Sequence, residues 1–160
     1  MDHSSSEYPE DDQEPAELLQ CGFRYALSLA HNPHDAEDLV QEAWLKIARR
    51  YGEVASRPLL FVAIRNAFID QTRRRGGKEL IPFHEVSSDL CTPVPEFAGT
   101  ATDLTTLLQA LRPVEREALF LHHVEGYTAE EIARLTGSPR NTVLSLVSRA
   151  MKKLHLLQKD

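Results

Sequence analysis

The sequence predicts an all-α protein: two small helical domains joined by an irregular linker, the second a four-helix domain containing a helix-turn-helix. Three observations predict it. Apolar residues recur at helical spacing in several separate stretches, and no stretch reads convincingly as a strand. A middle stretch holds Pro82, Pro93, Pro95 and Gly99 and shows no period. The final third reads as a short helix, a turn with glycine and a longer helix with a basic end.

The elements follow in order. Residues 16–31 place Leu19, Phe23, Ala26, Leu27 and Ala30 at helical spacing. Asn32-Pro33 breaks that helix and caps the next. Residues 34–50 repeat the pattern with Ala36, Leu39, Val40, Ala43, Trp44 and Ile47, and Trp44 is expected in the core. A third helix runs from about Pro58 to Arg75. Its first half, LLFVAI, is apolar nearly all round, so it is expected to lie buried against the first two. Its second half turns polar and ends in RRRGGK, with Gly76-Gly77 as the stop.

Residues 79–101 form a linker of 23 residues, able to span up to ~75 Å when extended. A structureless stretch of that length is unusual inside one domain, so a boundary belongs here. The expected organisation is a disordered acidic leader over 1–15, a first domain over 16–78, the linker, and a second domain over 102–160. The second domain opens with a short helix over 103–111, followed by Pro113 at the head of a helix over 113–125 that Gly126 ends. Thr128-Ala129-Glu130-Glu131 is a capping box, in which hydroxyl and carboxylate each satisfy an orphan backbone N–H. Two turns later Gly137 stops that helix, Ser138 caps, Pro139 fits a first turn, and a last helix runs to about 157.

Charge is unevenly placed. The net charge is −6, yet residues 1–17 hold seven acids and no Lys or Arg. All 18 basic side chains therefore fall after residue 17, against 17 of the 24 acids. Residues 65–78 carry Arg65, Arg73, Arg74, Arg75 and Lys78 against the single acid Asp70. Phosphate binding needs a local positive patch rather than a basic whole. The leader either is simply solvated or screens the basic face when DNA is absent.

Several function classes are excluded. No run approaches the ~20 apolar residues of a membrane span, and the acidic N-terminus lacks the apolar core of a signal peptide. Cys21 and Cys91 lie far apart without a CxxC, so a reduced cytoplasmic protein is expected. His122 and His123 are adjacent and do not share a helix face as a metal pair would. HExxH, GxSxG and phosphate-loop motifs are missing, so no enzyme activity and no cofactor or metal are expected.

On a helical wheel, Val143, Val147, Ala150 and Leu154 form the expected buried stripe of the last helix. Asn141, Ser145, Ser148, Arg149 and Lys152 fall opposite, and Leu144 and Leu146 lie on the two flanks. Arg140 and Asn141 occupy the first turn, which enters the groove in helix-turn-helix proteins. Arg pairs with guanine and Asn with adenine there, and a leucine meets a thymine methyl. The two leucines equally suit packing on neighbouring helices.

Three segments carry a resemblance: DAEDLVQEAWLKIAR (35–49), FVAIRNAFIDQTRRR (61–75) and LRPVEREALFLHHVEGYTAEEIARLTGSPRNTVLSLVSRAMKKL (111–154). In this order they resemble bacterial RNA polymerase sigma factors, and the two-domain layout resembles the extracytoplasmic-function (group 4) class, with regions 2 and 4. The DAEDLVQE core is highly specific, while the helix-turn-helix alone is weak because many regulators share it. The resemblance implies a protein that binds core polymerase, places it on a promoter and helps open the DNA. Asp38, Gln41, Glu42 and Leu45 would then dock on the clamp helices of the largest core subunit, with a further contact to the flap region. Asn66 would hold a flipped base of the −10 strand, with Arg73, Arg74, Arg75 and Lys78 on its backbone. Those basic residues equally suit a solvated helix end favoured by the helix dipole. Arg140, Asn141, Ser145, Arg149 and Lys152 would bind the −35 element. The linker would thread towards the RNA exit path, where Glu85, Asp89, Glu96 and Asp103 mimic a nucleic-acid backbone.

The chain departs from the family pattern at four places. Leu59 stands where a tryptophan is frequent and Val62 where an arginine is frequent, both linked to strand opening or DNA contact. Leu144 and Leu146 stand where Lys and Arg are commonest. These departures leave two other readings: a sigma-like mimic that binds an anti-sigma factor or the core without initiating, and a stand-alone helix-turn-helix regulator. Regulation by a separate protein, such as an anti-sigma factor, is expected, because the chain carries no fused sensor.

Overall fold

Proline and asparagine set the first helix boundaries. In the computed structural model, which describes residues 14–54, 56–76 and 108–158, α1 (Pro15–Ala30) starts at a proline. It ends at His31 in the left-handed region (φ 53°), whose N–H donates to the Leu27 carbonyl at 2.8 Å. Asn32 then caps α2 (Pro33–Tyr51): its Oδ1 accepts from the backbone N–H of His34 at 2.9 Å and of Asp35 at 3.2 Å. Gly52 ends α2 at φ 86°, a conformation that favours a residue without Cβ. Buried Ser56 caps α3 (Arg57–Arg74), accepting from the Leu59 N–H at 3.3 Å, and Gly76 follows at φ 73°.

The chain divides between Gly76 and Gly77 into two compact units. In the first, α1, α2 and α3 pack on one another in all three pairings. Leu18, Tyr25, Ala26 and Leu29 of α1 meet Ala36, Leu39, Val40, Ala43 and Ile47 of α2 and Leu60, Phe61, Ile64, Ala67 and Phe68 of α3. The Tyr25 and Phe61 rings stack with centroids 4.6 Å apart. The buried face of α1 is one residue away from the expected one: Leu19 is exposed and Phe23 half-buried, while Leu18 and Tyr25 point inward. Gly22 explains the difference. A Cβ there would lie 3.0 Å from Leu60 Cδ2 and 3.2 Å from Ile64 Cδ1, so α1 lies close against α3 at a position of the buried stripe that has no side chain to read. Trp44, expected in the core, is half-buried at its edge.

In the second unit α4 (Pro113–Leu119) widens into a π turn over Phe120–Val124, where the Glu125 N–H donates five residues back to Phe120 at 3.1 Å. Gly126 (φ 75°) ends this helix. In α5 (Ala129–Thr136) the capping box is present on both sides: Thr128 Oγ1 accepts from the Glu131 N–H, and Glu131 Oε1 from the Thr128 N–H, each at 3.1 Å. Gly137 (φ 74°) leads into the turn before α6 (Arg140–Gln158). This helix starts a residue later than expected. The Pro139 carbonyl accepts from Thr142 and Val143, while Ser138 lies buried with its hydroxyl accepting from Thr136 at 2.6 Å.

Val114, Ala118, Leu121, Ile132, Val143, Leu146 and Ala150 form the second core. Of the expected helix 103–111 only residues 108–111 are described: Leu108 and Gln109 are helical, and Ala110 and Leu111 already form the turn before α4. Residues 1–13 of the leader, Lys78, the whole linker over 79–101 with Glu85, Asp89 and Glu96, and Asp103 lie outside the described residues. Among the described residues there is no strand, and no helix is long and apolar enough to cross a membrane.

Gly22→Val overfills the contact between α1 and α3. It is expected to lower the stability of the first unit by about 2 kcal/mol in urea unfolding followed by circular dichroism. An unchanged midpoint would refute the close approach.

Candidate nucleic-acid interface

Each long helix buries one stripe and leaves an opposite stripe open. On α2 the open stripe holds Asp38, Gln41 and Leu45 exposed and Glu42 half-buried, pointing away from Leu39, Ala43 and Ile47. Leu45 is 52% exposed, a large aliphatic surface between acidic neighbours. Lys46 lies 3.6 Å from Glu42, one turn on and open to solvent, so the pair holds Glu42 only weakly.

On α3, Leu59, Asn66 and Arg73 are spaced seven apart and so share one line, with Val62 and Asp70 within about 40° of it. Asn66, Arg73, Arg74 and Arg75 are exposed, and Leu59, Val62 and Asp70 are half-buried. The structure therefore brings both aliphatic departures onto the Asn66 face. Arg75 reaches back to α2, with Nη1 3.8 Å from Asp35 Oδ2. This tie is solvent-open and easily exchanged.

On α6, Arg140, Asn141, Ser145, Ser148 and Lys152 are exposed and Arg149 is half-buried. A hydrogen bond and an ion pair engage this face already. Ser145 Oγ donates to the Asn141 carbonyl at 3.0 Å, and Arg140 Nε lies 3.7 Å from Glu130 Oε1 of α5. The flanking leucines part company: Leu146 is 5% exposed and Leu144 is 42% exposed. Val147 and Leu154, expected in the buried stripe, are half-buried. The core-facing line runs instead through Val143, Leu146 and Ala150, rotated about 40° towards Lys153.

An ion pair accounts for that rotation. Glu115 is 1% exposed, and its Oε1 accepts from Lys153 Nζ at 2.7 Å and from the Arg112 backbone N–H at 2.9 Å. One carboxylate thus starts α4 and draws α6 onto it. Buried Arg116 closes the same end, donating to the carbonyls of Leu111 at 2.8 Å and Leu108 at 3.4 Å.

With these faces described, the comparisons with known proteins decide the family. Residues 18–77 match the family model for sigma-70 region 2, and residues 101–154 that for sigma-70 region 4. RNA polymerase sigma factor CarQ of Myxococcus xanthus is 30% identical over 128 residues, 76% of this chain and 74% of that protein. The chain belongs to the extracytoplasmic-function sigma factors. The ECF sigma factor SigE of Mycolicibacterium smegmatis is 32% identical over 141 residues. That match covers 82% of this chain, which spans only 55% of that relative's length. A co-crystal structure of the sigma factor RpoE with the anti-sigma factor NepR, from Bartonella quintana, matches with a TM-score of 0.65 at 29% identity. It covers 90% of this chain and 93% of that one.

The Glu115–Lys153 pair of this sigma factor is not legible in its sequence as a pair. The half of it that was legible is local: an acid two residues after a helix-opening proline suits a backbone cap. Its partner lies 38 residues away and leaves no local sign.

Glu115→Gln keeps the shape and leaves the Lys153 ammonium without its anion. A loss of about 3 kcal/mol is expected in urea unfolding, at the low end for a broken buried pair because Lys153 keeps 15% of its side chain exposed. The double variant Glu115→Leu/Lys153→Met should recover most of that loss. Equal loss in both would refute the pair as the tie between α4 and α6.

Proposed function

We propose that this chain is an alternative sigma factor that binds core RNA polymerase, carries it to promoters with their own −35 and −10 elements, and helps open the DNA. The observation that carries the reading is the presence of both family regions, in order, on one chain whose three candidate faces are open to solvent. The α2 stripe of Asp38, Gln41, Glu42 and Leu45 offers acidity around one apolar side chain, which suits the basic, partly apolar groove of the polymerase clamp helices. A second contact, to the polymerase flap, belongs to the second unit. Asn66 supplies a planar amide for an unstacked base of the −10 strand, and Arg73, Arg74, Arg75 and Lys78 supply charge for its backbone. Arg140, Asn141, Ser145, Arg149 and Lys152 bind the −35 duplex.

The site has no catalytic role of its own: polymerisation chemistry belongs to the core enzyme, and the protein acts in the bacterial cytoplasm. The Bartonella relative was crystallised with an anti-sigma factor, and a protein of that class is the expected regulator here. The domain limits follow the same reading: region 2 over 16–78, linker over 79–101 and region 4 over 102–160.

The test is to add the purified chain to bacterial core polymerase with fragmented host DNA and sequence the RNA 5′ ends. Discrete starts sharing −35 and −10 elements are the expected result. Co-elution with core without new starts would favour a mimic, and neither would leave a stand-alone DNA-binding module. Within the same assay, Leu45→Asp should weaken core binding about tenfold or more, the worth of one buried leucine. Asn66→Ala should leave core binding intact and reduce open complexes. Loss of core binding by Asn66→Ala would refute this division of roles.

A further inference from the structure

The face of α6 that points away from the core has one large aliphatic side chain within its first two turns. Leu144 is 42% exposed, whereas Leu146, two residues on, is buried. Directly opposite the Val143–Leu146–Ala150 line lies Ser148, with Leu144 and Ser145 each within about 60° of it on either side. Leu144 is thus flanked by exposed Arg140, Asn141, Ser145 and Ser148, the residues of the outward face. At 42% exposure Leu144 leaves a large aliphatic surface open in the middle of a polar helix face.

Resting on the proposed −35 binding by this helix, we propose that Leu144 is a specificity-determining residue that reads the C5-methyl group of a thymine in the −35 element. Thymine carries the one apolar group on the major-groove edges of the bases. Against that methyl, leucine buries apolar surface on both sides. Against guanine, adenine or cytosine it covers an acceptor or donor and offers no hydrogen bond in return, so the wrong base is penalised as well. The neighbours sharpen the effect. Ser145 directs its hydroxyl hydrogen to the Asn141 carbonyl of its own helix at 3.0 Å, so that donor is not aimed past Leu144 at the base it faces. Met151, seven residues further along, is 45% exposed on the same line but sits beyond the two turns that enter the groove.

The probe is a promoter duplex identified by start-site mapping, with each −35 thymine replaced in turn by deoxyuridine. That change deletes one methyl and leaves every hydrogen-bonding group in place. With polymerase holding the unaltered chain, one replacement should reduce promoter binding about fourfold, the worth of one buried methyl. With Leu144→Ala, an exposed position where truncation leaves the core intact, binding should start lower and that same replacement should have no further effect. Met151→Ala should retain the fourfold response. An unaltered chain indifferent to every deoxyuridine, or a Leu144→Ala chain that responds as the unaltered one does, overturns the proposal and leaves Leu144 for contact with protein. Binding unaffected by scrambling the whole −35 element would overturn the −35 reading itself, and the proposal with it.

Discussion

A helix in a unit this small can bury one face and only one. The units, Met1–Gly76 and Gly77–Asp160, are each large enough for a single core and little more. In the first unit that core takes Leu18, Tyr25 and Leu29, Leu39 and Ile47, and Leu60, Phe61 and Ile64. Whatever the protein recognises must therefore be written on the stripes left over. The Asp38–Leu45 stripe of α2 and the Asn66–Arg73 stripe of α3 are those remainders. Their orientation is dictated from inside, because turning either helix would expose its core residues. The close passage of α1 over α3 at Gly22 and the stacked Tyr25 and Phe61 rings fix which side of α3 is inside.

Among the described residues the second unit has a smaller apolar core, and it adds an electrostatic constraint. Glu115 lies almost wholly out of water, where a lone carboxylate would be costly, and two donors offset that cost. One donor is the start of α4 and the other is Lys153 of α6. The carboxylate is therefore most stable only at one rotation of α6. That rotation puts Leu146 in, Leu144 out, and Asn141 and Ser148 on the outward line. At the other end of the turn, the Thr128–Glu131 box and Gly137 hold α5 to a fixed length. A DNA-facing surface gains from such rigidity, because side chains fixed before binding lose less entropy on contact.

Much of the fold was legible because caps and breakers act locally. Asn32-Pro33, Gly76, the Thr128 box and Gly137 mark helix ends within a residue or two of where they fall. The exposed stripe of α2 was legible for the same reason: its apolar partners Leu39, Val40, Ala43 and Ile47 repeat without interruption. Helix faces failed where the deciding residue was silent or distant. Gly22 has no hydrophobic signal of its own, so α1 was read about one residue out of phase. Lys153 looks like a solvent residue until Glu115, 38 positions earlier, is brought beside it, so the periodicity of α6 points about 40° away from its true face. The π turn at Phe120–Val124 follows a helical pattern that periodicity cannot tell from an α-helix. The three exposed faces were each anticipated, but the split between Leu144 and Leu146 needed the packing.

The remaining charges are arranged to be exchanged. Arg140 with Glu130, Arg75 with Asp35 and Lys46 with Glu42 stand 3.6–3.8 Å apart, each open to solvent. Pairs of this kind contribute about 0–1 kcal/mol, so a phosphate or an opposing protein side chain displaces them at little cost. The contrast with Glu115–Lys153 at 2.7 Å is one of burial: the buried pair sets shape, and the exposed pairs moderate the patches they flank. In a chain of net charge −6 this matters, because the overall field repels DNA and each basic patch must act at short range. On the proposed reading, discrimination would then come from groups that reach base edges, and the outward face of α6 offers Arg140, Asn141, Ser145 and exposed Leu144 for that.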